Sequence, residues 1–161
     1  MNRGAYLLFA GLIIASCSNE PGWGEQQAIA NIQQGKAFLE ENRHQQGIIS
    51  LPSGLQYRIL RTGTGPKPEI KDVIEVHYRG TFIDGTEFDS SYSRHTPASF
   101  RVDGVINGWR EALQLMPVGS KWQLFVPHWL AYGSKGAGKE IGPNKTLIFE
   151  VELLSIQEPK N

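Results

Sequence analysis

The sequence predicts an α+β protein: an antiparallel β-sheet wrapped around one short α-helix, preceded by a signal peptide and a short N-terminal helix. Three observations carry that prediction. Runs of β-branched and aromatic residues occur at Val73 to Tyr78, Trp122 to Val126 and Leu147 to Leu153, the last two with two-residue alternation. Gly, Pro and Asp punctuate the stretches between them. Past residue 50, a single segment has helical periodicity, with Trp109, Ala112, Leu113 and Met116 at i, i+3, i+4 and i+7 from a start near Asn107 and Pro117 as its stop.

In chain order, Met1 to Arg3 is a short positive start and Ala5 to Ile14 a ten-residue apolar run. That run is too short to span a bilayer of ~30 Å and has the shape of a secretory signal peptide. Ile14-Ala15-Ser16-Cys17 follows and resembles the lipobox of bacterial lipoprotein precursors. Residues 1–16 are therefore expected to be removed and Cys17 to be lipidated; an ordinary signal peptide with an incidental cysteine and a buried apolar helix are the alternatives. Losing Arg3 leaves 15 basic against 16 acidic residues. Two or three acyl chains, at ~0.8 kcal/mol per buried CH₂, would anchor such a chain without a transmembrane helix. By analogy with the lipoprotein class, Ser18 after the cysteine implies delivery to the outer membrane of the bacterial envelope.

Residues 17–24 are small and turn-rich and read as a tether. Residues 25–46 read as a helical segment, polar apart from one stripe of Ala28, Ile32, Gly35 and Leu39. Gly35 costs it ~1 kcal/mol relative to Ala. So thin a stripe is satisfied by the following domain, by a second chain, or by solvent around a spacer helix. The texture changes past Gly47, and residues 51–157 read as the main domain, with Asp84-Gly85 as a turn between two strands.

Composition narrows the chemistry. Lys+Arg and Asp+Glu are 16 each in 161 residues, which leaves no basic excess for nucleic-acid binding. One cysteine excludes an intrachain disulfide framework and a Cys-rich zinc site. His44, His77, His95 and His128 show no metal-ligand spacing, so neither metal nor cofactor is expected. Gly133 to Lys139 matches the first seven positions of a phosphate-binding P-loop, but Glu140 stands where the Mg²⁺-binding hydroxyl belongs and Gly142-Pro143 forbids the required helix. No G-x-S-x-G elbow occurs, and Asn144-Lys145-Thr146 is only a formal glycosylation sequon. What remains is a concentration of aromatic rings beside turns.

Six strings occur in order around those rings: Val76-His77-Tyr78-Arg79-Gly80, Gly85 to Ser91, Val105 to Trp109, Met116 to Gly119, Ala131-Tyr132-Gly133 and Leu147 to Leu154. From about Leu51 to Ile156 the chain resembles the FKBP-type peptidyl-prolyl cis-trans isomerase family. Ser53 to Tyr57 with Gly63-Thr64-Gly65 also resembles the entry to its bacterial envelope branch, the macrophage infectivity potentiator type. The resemblance implies an FKBP-like fold and a pocket walled by Phe88, Phe100, Val105, Ile141 and Phe149 around Trp109 as floor, with Tyr78, Asp89, Ile106 and Tyr132 as the catalytic set. It also implies proline-containing unfolded or exported polypeptides as partners and macrolides of the rapamycin type as ligands. Ala98 and Ala137 stand where many eukaryotic members carry an aromatic and a histidine, so the rim is smaller on two sides.

The physical logic runs beside the name. Amide resonance sets a barrier of ~18–20 kcal/mol, and X-Pro isomerisation takes tens to hundreds of seconds. A dry aromatic pocket favours the less polar twisted amide over the planar one. Ile106 precedes the expected helix start, where backbone N–H groups lack intrahelical partners, and the Tyr132 hydroxyl is a second donor for a substrate carbonyl. Asp89 either orients the twisted amide or makes a turn hydrogen bond. An envelope chaperone with the same pocket and little catalysis, and a purely structural lipoprotein, are the competing readings.

Overall fold

The computed structural model describes residues 23–157. The expected signal peptide and residues 17–22 of the expected tether, Cys17 among them, lie outside the described residues. No described helix is long and apolar enough to cross a membrane.

The first element, α1, spans Trp23–Asn42. It takes in Trp23 and Gly24, which the composition assigned to the tether. First-turn residues donate no intrahelical N–H bond, so a glycine there is cheap, and Glu25 in that turn complements the helix dipole. The expected apolar stripe holds at Gly35 and Leu39 and fails at Ile32, with Ala28 half-buried. Asn31, Gly35, Leu39 and Asn42 form the buried face, whereas Ile32 is 39% exposed. Amides make the contact together with Leu39 and Phe38. Asn31 Nδ2 donates to the Pro143 carbonyl at 2.7 Å and Asn42 Nδ2 to Gln56 Oε1 at 2.8 Å, while Gln56 Nε2 returns to the Leu39 carbonyl at 2.8 Å. Hydropathy periodicity is blind to a helix docked by hydrogen bonds.

Seven strands follow: β1 (Ile48–Ser50), β2 (Gln56–Arg61), β3 (Val73–Phe82), β4 (Glu87–Ser90), β5 (Ala98–Arg101), β6 (Lys121–Val126) and β7 (Leu147–Gln157). All pairings are antiparallel, in the order β1-β2-β6-β7-β3-β4, with β5 also on β3. One long edge of β3 is taken by β7 from Val73 to Phe82. The other is shared by β5 at Val73 to Val76 and β4 at Arg79 to Thr81, and the chain between them is released as a loop that carries Arg94. Asp84-Gly85 makes the turn from β3 to β4, with the Gly85 N–H on the Phe82 carbonyl at 3.0 Å.

The helix α2 spans Asn107–Leu113. It ends before Pro117, yet all four residues of its expected apolar face are buried, because a turn anchored on the Ala112 and Leu113 carbonyls carries Met116 back into the core. Trp122, Leu124 and Val126 of β6 and Leu147, Phe149, Val151 and Leu153 of β7 face that same core. Phe125 faces the other way, is 4% exposed, and lies 6.0 Å from the Phe38 ring of α1. The helix α1 thus packs on the sheet face opposite α2.

Gly35 is where α1 comes closest. A Cβ there would lie 2.2 Å from Thr146 Oγ1, and turning the hydroxyl away still leaves Thr146 Cβ at 3.1 Å. Gly35→Ala is therefore expected to lower the melting temperature, although helix propensity alone would favour alanine by ~1 kcal/mol. A rise in melting temperature would show that the docking is loose.

Candidate active site

The site is built where β3, β4, β5, β7, α2 and two loops converge on the core. Tyr78, in the middle of β3, is 6% exposed, and Trp109, in the first turn of α2, is 4% exposed. Three rings meet the indole edge-on: Tyr78 at 5.4 Å and 82°, Phe100 at 5.9 Å and 88°, and Phe149 at 5.3 Å and 85° between centroids and planes. Phe88 closes the group, 5.6 Å from Phe149 at 89°. Edge-to-face contacts of this kind contribute ~0.5–1.5 kcal/mol each beyond area burial.

Above the indole is a cavity of about 250 Å³. Tyr78, Phe88, Phe100, Trp109 and Phe149 form its apolar surface; Asp89, Val105, Ile106 and Tyr132 complete it together with Gly104, which sequence reasoning did not single out. Ile141 is not among the walls. It is 9% exposed, belongs to the buried core and exchanges backbone hydrogen bonds with Ala137 at 2.9 and 3.0 Å. Ala98 and Ala137 are partly buried against the same core.

Ile106 caps α2, its φ of −56° and ψ of 152° turning the chain into the helix, and its carbonyl accepts from the Arg110 N–H at 3.0 Å. The Ile106 N–H donates to no group among the described residues. Tyr132 is 40% exposed at the rim, and its hydroxyl likewise has no partner there. Both donors thus stay available on the cavity wall.

Asp89 holds a compact polar cluster. Tyr78 donates its hydroxyl to Asp89 Oδ2 at 2.5 Å. Arg94 Nη1 donates to Asp89 Oδ1 at 2.5 Å and Arg94 Nη2 to the Tyr78 hydroxyl oxygen at 2.8 Å, with the guanidinium 5.6 Å from the Tyr78 ring centre. Arg94 is the member of this cluster that sequence reasoning missed. The turn at Tyr92 to His95 returns it to Asp89, with the His95 N–H on the Tyr92 carbonyl at 3.0 Å, and no periodicity marks such a return.

Burial pushes the Asp89 carboxyl up, but the hydrogen bonds from Tyr78 and Arg94 and the Arg94 charge outweigh it and hold the group below the usual aspartate range. Burial and the hydrogen bond to Asp89 push the Tyr78 hydroxyl up, and burial with the nearby Asp89 charge does the same to Tyr132. At neutral pH the site therefore presents one ionised carboxylate and two protonated phenols. Among the described residues, no group of three or more His, Cys, Asp or Glu comes together to hold a metal.

Comparison with known proteins agrees with this architecture. Residues 65–154 match the family described as FKBP-type peptidyl-prolyl cis-trans isomerase, and residues 16–59 match the domain amino terminal to it. The chain is 53% identical over 133 residues to the outer membrane protein MIP of Legionella longbeachae, covering 83% of this chain and 57% of that one. It is 56% identical over 123 residues to the FKBP-type 22 kDa peptidyl-prolyl cis-trans isomerase of Escherichia coli, covering 76% and 60%. The chain thus spans about three fifths of the length of these two relatives. The crystal structure of FkpA from Escherichia coli superposes with a TM-score of 0.81 at 43% identity, over 84% of this chain and 63% of that one. A peptidyl-prolyl cis-trans isomerase structure from Pseudomonas syringae gives 0.75 at 40%, over 81% and 96%. An indole floor ringed edge-on by Tyr78, Phe100 and Phe149 sits on a fold shared with these enzymes, and the chain belongs to the FKBP-type peptidyl-prolyl cis-trans isomerase family.

Proposed function

We propose that this protein accelerates cis-trans isomerisation of X-Pro bonds in exported or envelope polypeptides as they fold. The observation that carries this reading is the conjunction, in one cavity, of an apolar aromatic floor with two free donors, the Ile106 N–H and the Tyr132 hydroxyl. A proline ring seated on Trp109 leaves its amide out of bulk water, where the charge-separated planar form loses solvation and the twisted form does not. The two donors hold substrate carbonyls flanking that bond, which fixes the chain while the amide turns. Removing ~4 kcal/mol of the barrier gives roughly a thousandfold acceleration. No nucleophile, metal or cofactor enters.

In this reading Asp89 orients the twisted amide, and its carboxylate is held by the side chains of Tyr78 and Arg94 rather than by a turn. One lone pair on each carboxylate oxygen is occupied, by Tyr78 and by Arg94, while the group also faces the cavity. It fixes the Tyr78 ring and leaves its remaining lone pairs toward the substrate.

The domain division follows from the same reading: residues 51–157 as the isomerase domain, residues 25–46 as a helical segment docked upon it, and residues 17–24 leading back to a lipid anchor on Cys17 after removal of residues 1–16. The name of the Legionella relative, an outer membrane protein, supports the bacterial envelope as the location, with the outer membrane and its periplasmic face as the finer expectation. Macrolides of the rapamycin type are the expected inhibitors, and nucleic acid is not an expected partner.

The test is a cis-to-trans assay on a short X-Pro peptide, with and without rapamycin. Acceleration blocked by the drug supports both pocket and chemistry. Peptide binding without acceleration would replace the isomerase by a chaperone module that uses the same cavity.

The pH dependence has a definite sign. A carboxyl whose folded-state pKa is depressed contributes stability that is complete above the unfolded value of ~3.9 and is lost as pH falls through the lower folded value. Tyr78 and Tyr132 titrate above the ordinary phenol value of ~10. On a peptide without titratable side chains, kcat/KM is therefore expected to be flat from about pH 5 to 9. An inflection near pH 7 would give control to a histidine instead.

A further inference from the structure

The stretch of cavity wall between β5 and α2 has little of its own to hold it. Val102 is fully buried, and its N–H donates to the Asp72 carbonyl at 2.9 Å. Beyond that anchor Gly104 is exposed and carries no side chain, while Val105 and Ile106 are only partly buried against the core. Ile106 leads into α2 without a side-chain cap, which an aliphatic residue cannot supply. Yet Gly104, Val105 and Ile106 all line the cavity, and the Ile106 N–H is one of its two donors.

Arg110, half-buried on α2, meets this segment twice. Its backbone N–H donates to the Ile106 carbonyl at 3.0 Å, and its Nη2 reaches back to the Asp103 carbonyl at 2.9 Å. The Asp103 carboxylate is taken by Arg101, whose Nε and Nη2 donate to it at 3.0 and 2.8 Å, so the Arg110 guanidinium engages the main chain instead. Arg110 Nε is buried without a partner among the described residues, so the side chain is drawn over the segment rather than out into water. The helix that carries it is a firm mount. A Cβ on Gly108 would lie 2.6 Å from Val126 Cγ1 of β6, and Glu111 Oε2 accepts from the Ser53 hydroxyl at 2.6 Å. Trp109, the floor, directly precedes Arg110 on that helix.

We propose that Arg110 is a positioning residue, which ties the Gly104 to Ile106 wall to the helix bearing the Trp109 floor and so holds the Ile106 N–H in one direction for a substrate carbonyl. The inference rests on the isomerase reading and deepens it: floor and donor are kept as one body by a side chain that does not itself line the cavity. A donor that holds the substrate equally before and during rotation of the amide supplies uniform binding, so misdirecting it raises KM and leaves kcat. Partial unfolding does the reverse, since it removes active molecules and lowers kcat at constant KM.

The test uses the full chain and a tetrapeptide with one X-Pro bond, together with two analogues in which one or the other carbonyl flanking that bond is reduced to a methylene. Arg110→Ala is expected to raise KM for the tetrapeptide about fivefold with kcat within about twofold, the size of one hydrogen bond lost from binding. For at least one analogue, which lacks the carbonyl that Ile106 holds, the same variant is expected to leave KM within about twofold. Arg110→Met keeps the apolar stem and loses the donor, and it carries the test alone if the alanine variant does not fold. An unchanged KM, a fall in kcat alone, or the same rise in KM for the tetrapeptide and both analogues would overturn the assignment. Failure of the unaltered protein to accelerate the tetrapeptide would overturn the isomerase reading instead. Backbone NMR order parameters then decide the clasp by themselves: in Arg110→Met they should fall at Gly104 to Ile106 and hold at Ala112 and Leu113, and no fall would end the proposal.

Discussion

Asp89→Ala is expected to lower kcat/KM on short X-Pro peptides about 30-fold, while the melting temperature changes little. The two halves of that expectation have different causes. The carboxylate accepts from Tyr78 and from Arg94, and a hydrogen bond to a charged group is worth ~1.5–3 kcal/mol. About 2 kcal/mol of lost wall organisation corresponds to roughly 30-fold in rate. Stability is spared because the Asp89 and Arg94 side chains are 41% and 50% exposed, and ion pairs so open to water contribute ~0–1 kcal/mol. Arg94→Ala is the graded companion: it leaves the Tyr78 to Asp89 bond and should cost about fivefold, ~1 kcal/mol. Activity unchanged in Asp89→Ala would remove the cluster from the mechanism and leave the apolar floor with the two donors of Ile106 and Tyr132.

That pair of variants also marks the limit of what the amino-acid sequence discloses. Tyr78, Asp89, Ile106 and Tyr132 were legible because each lies in a short local string, and the structure brings all four onto one cavity. Arg94 was not, because its meaning depends on a turn that folds the chain back across five residues. The strands at Val73, Trp122 and Leu147 announced themselves by residue type or alternation, and α2 by its period. The docked face of α1 did so only at Gly35 and Leu39, since Asn31 and Asn42 are invisible to hydropathy and become contacts only against Pro143 and Gln56. Ile141 shows the opposite failure. Its type suits a cavity wall and a core equally, and it lies in the buried core outside the residues that line the cavity. Local chemistry is written locally; partners distant in sequence are not.

Trp109 separates the two demands on the floor. Trp109→Ala is expected to cost ~3–5 kcal/mol, the range for deleting a large buried ring, out of a total stability of ~5–15 kcal/mol for a typical domain. Three neighbours lose an edge-to-face partner at once, so Tyr78, Phe100 and Phe149 collapse toward the void and the cavity loses its shape together with its floor. Urea denaturation should show a lower midpoint, and activity at 25 °C should vanish into background. Trp109→Phe makes the contrasting prediction. The Trp109 Nε1–H is buried without a hydrogen-bond partner among the described residues, so removing it leaves no acceptor stranded there, and the smaller ring still meets its neighbours. A cost below ~1.5 kcal/mol is expected, as for the mildest apolar exchanges, with a measurable loss in kcat/KM from the shallower floor. If the two variants instead fell in the same proportion in stability and activity, the floor would serve the core alone. Unequal losses would show that one face of the indole holds the domain together while the other is kept open for substrate.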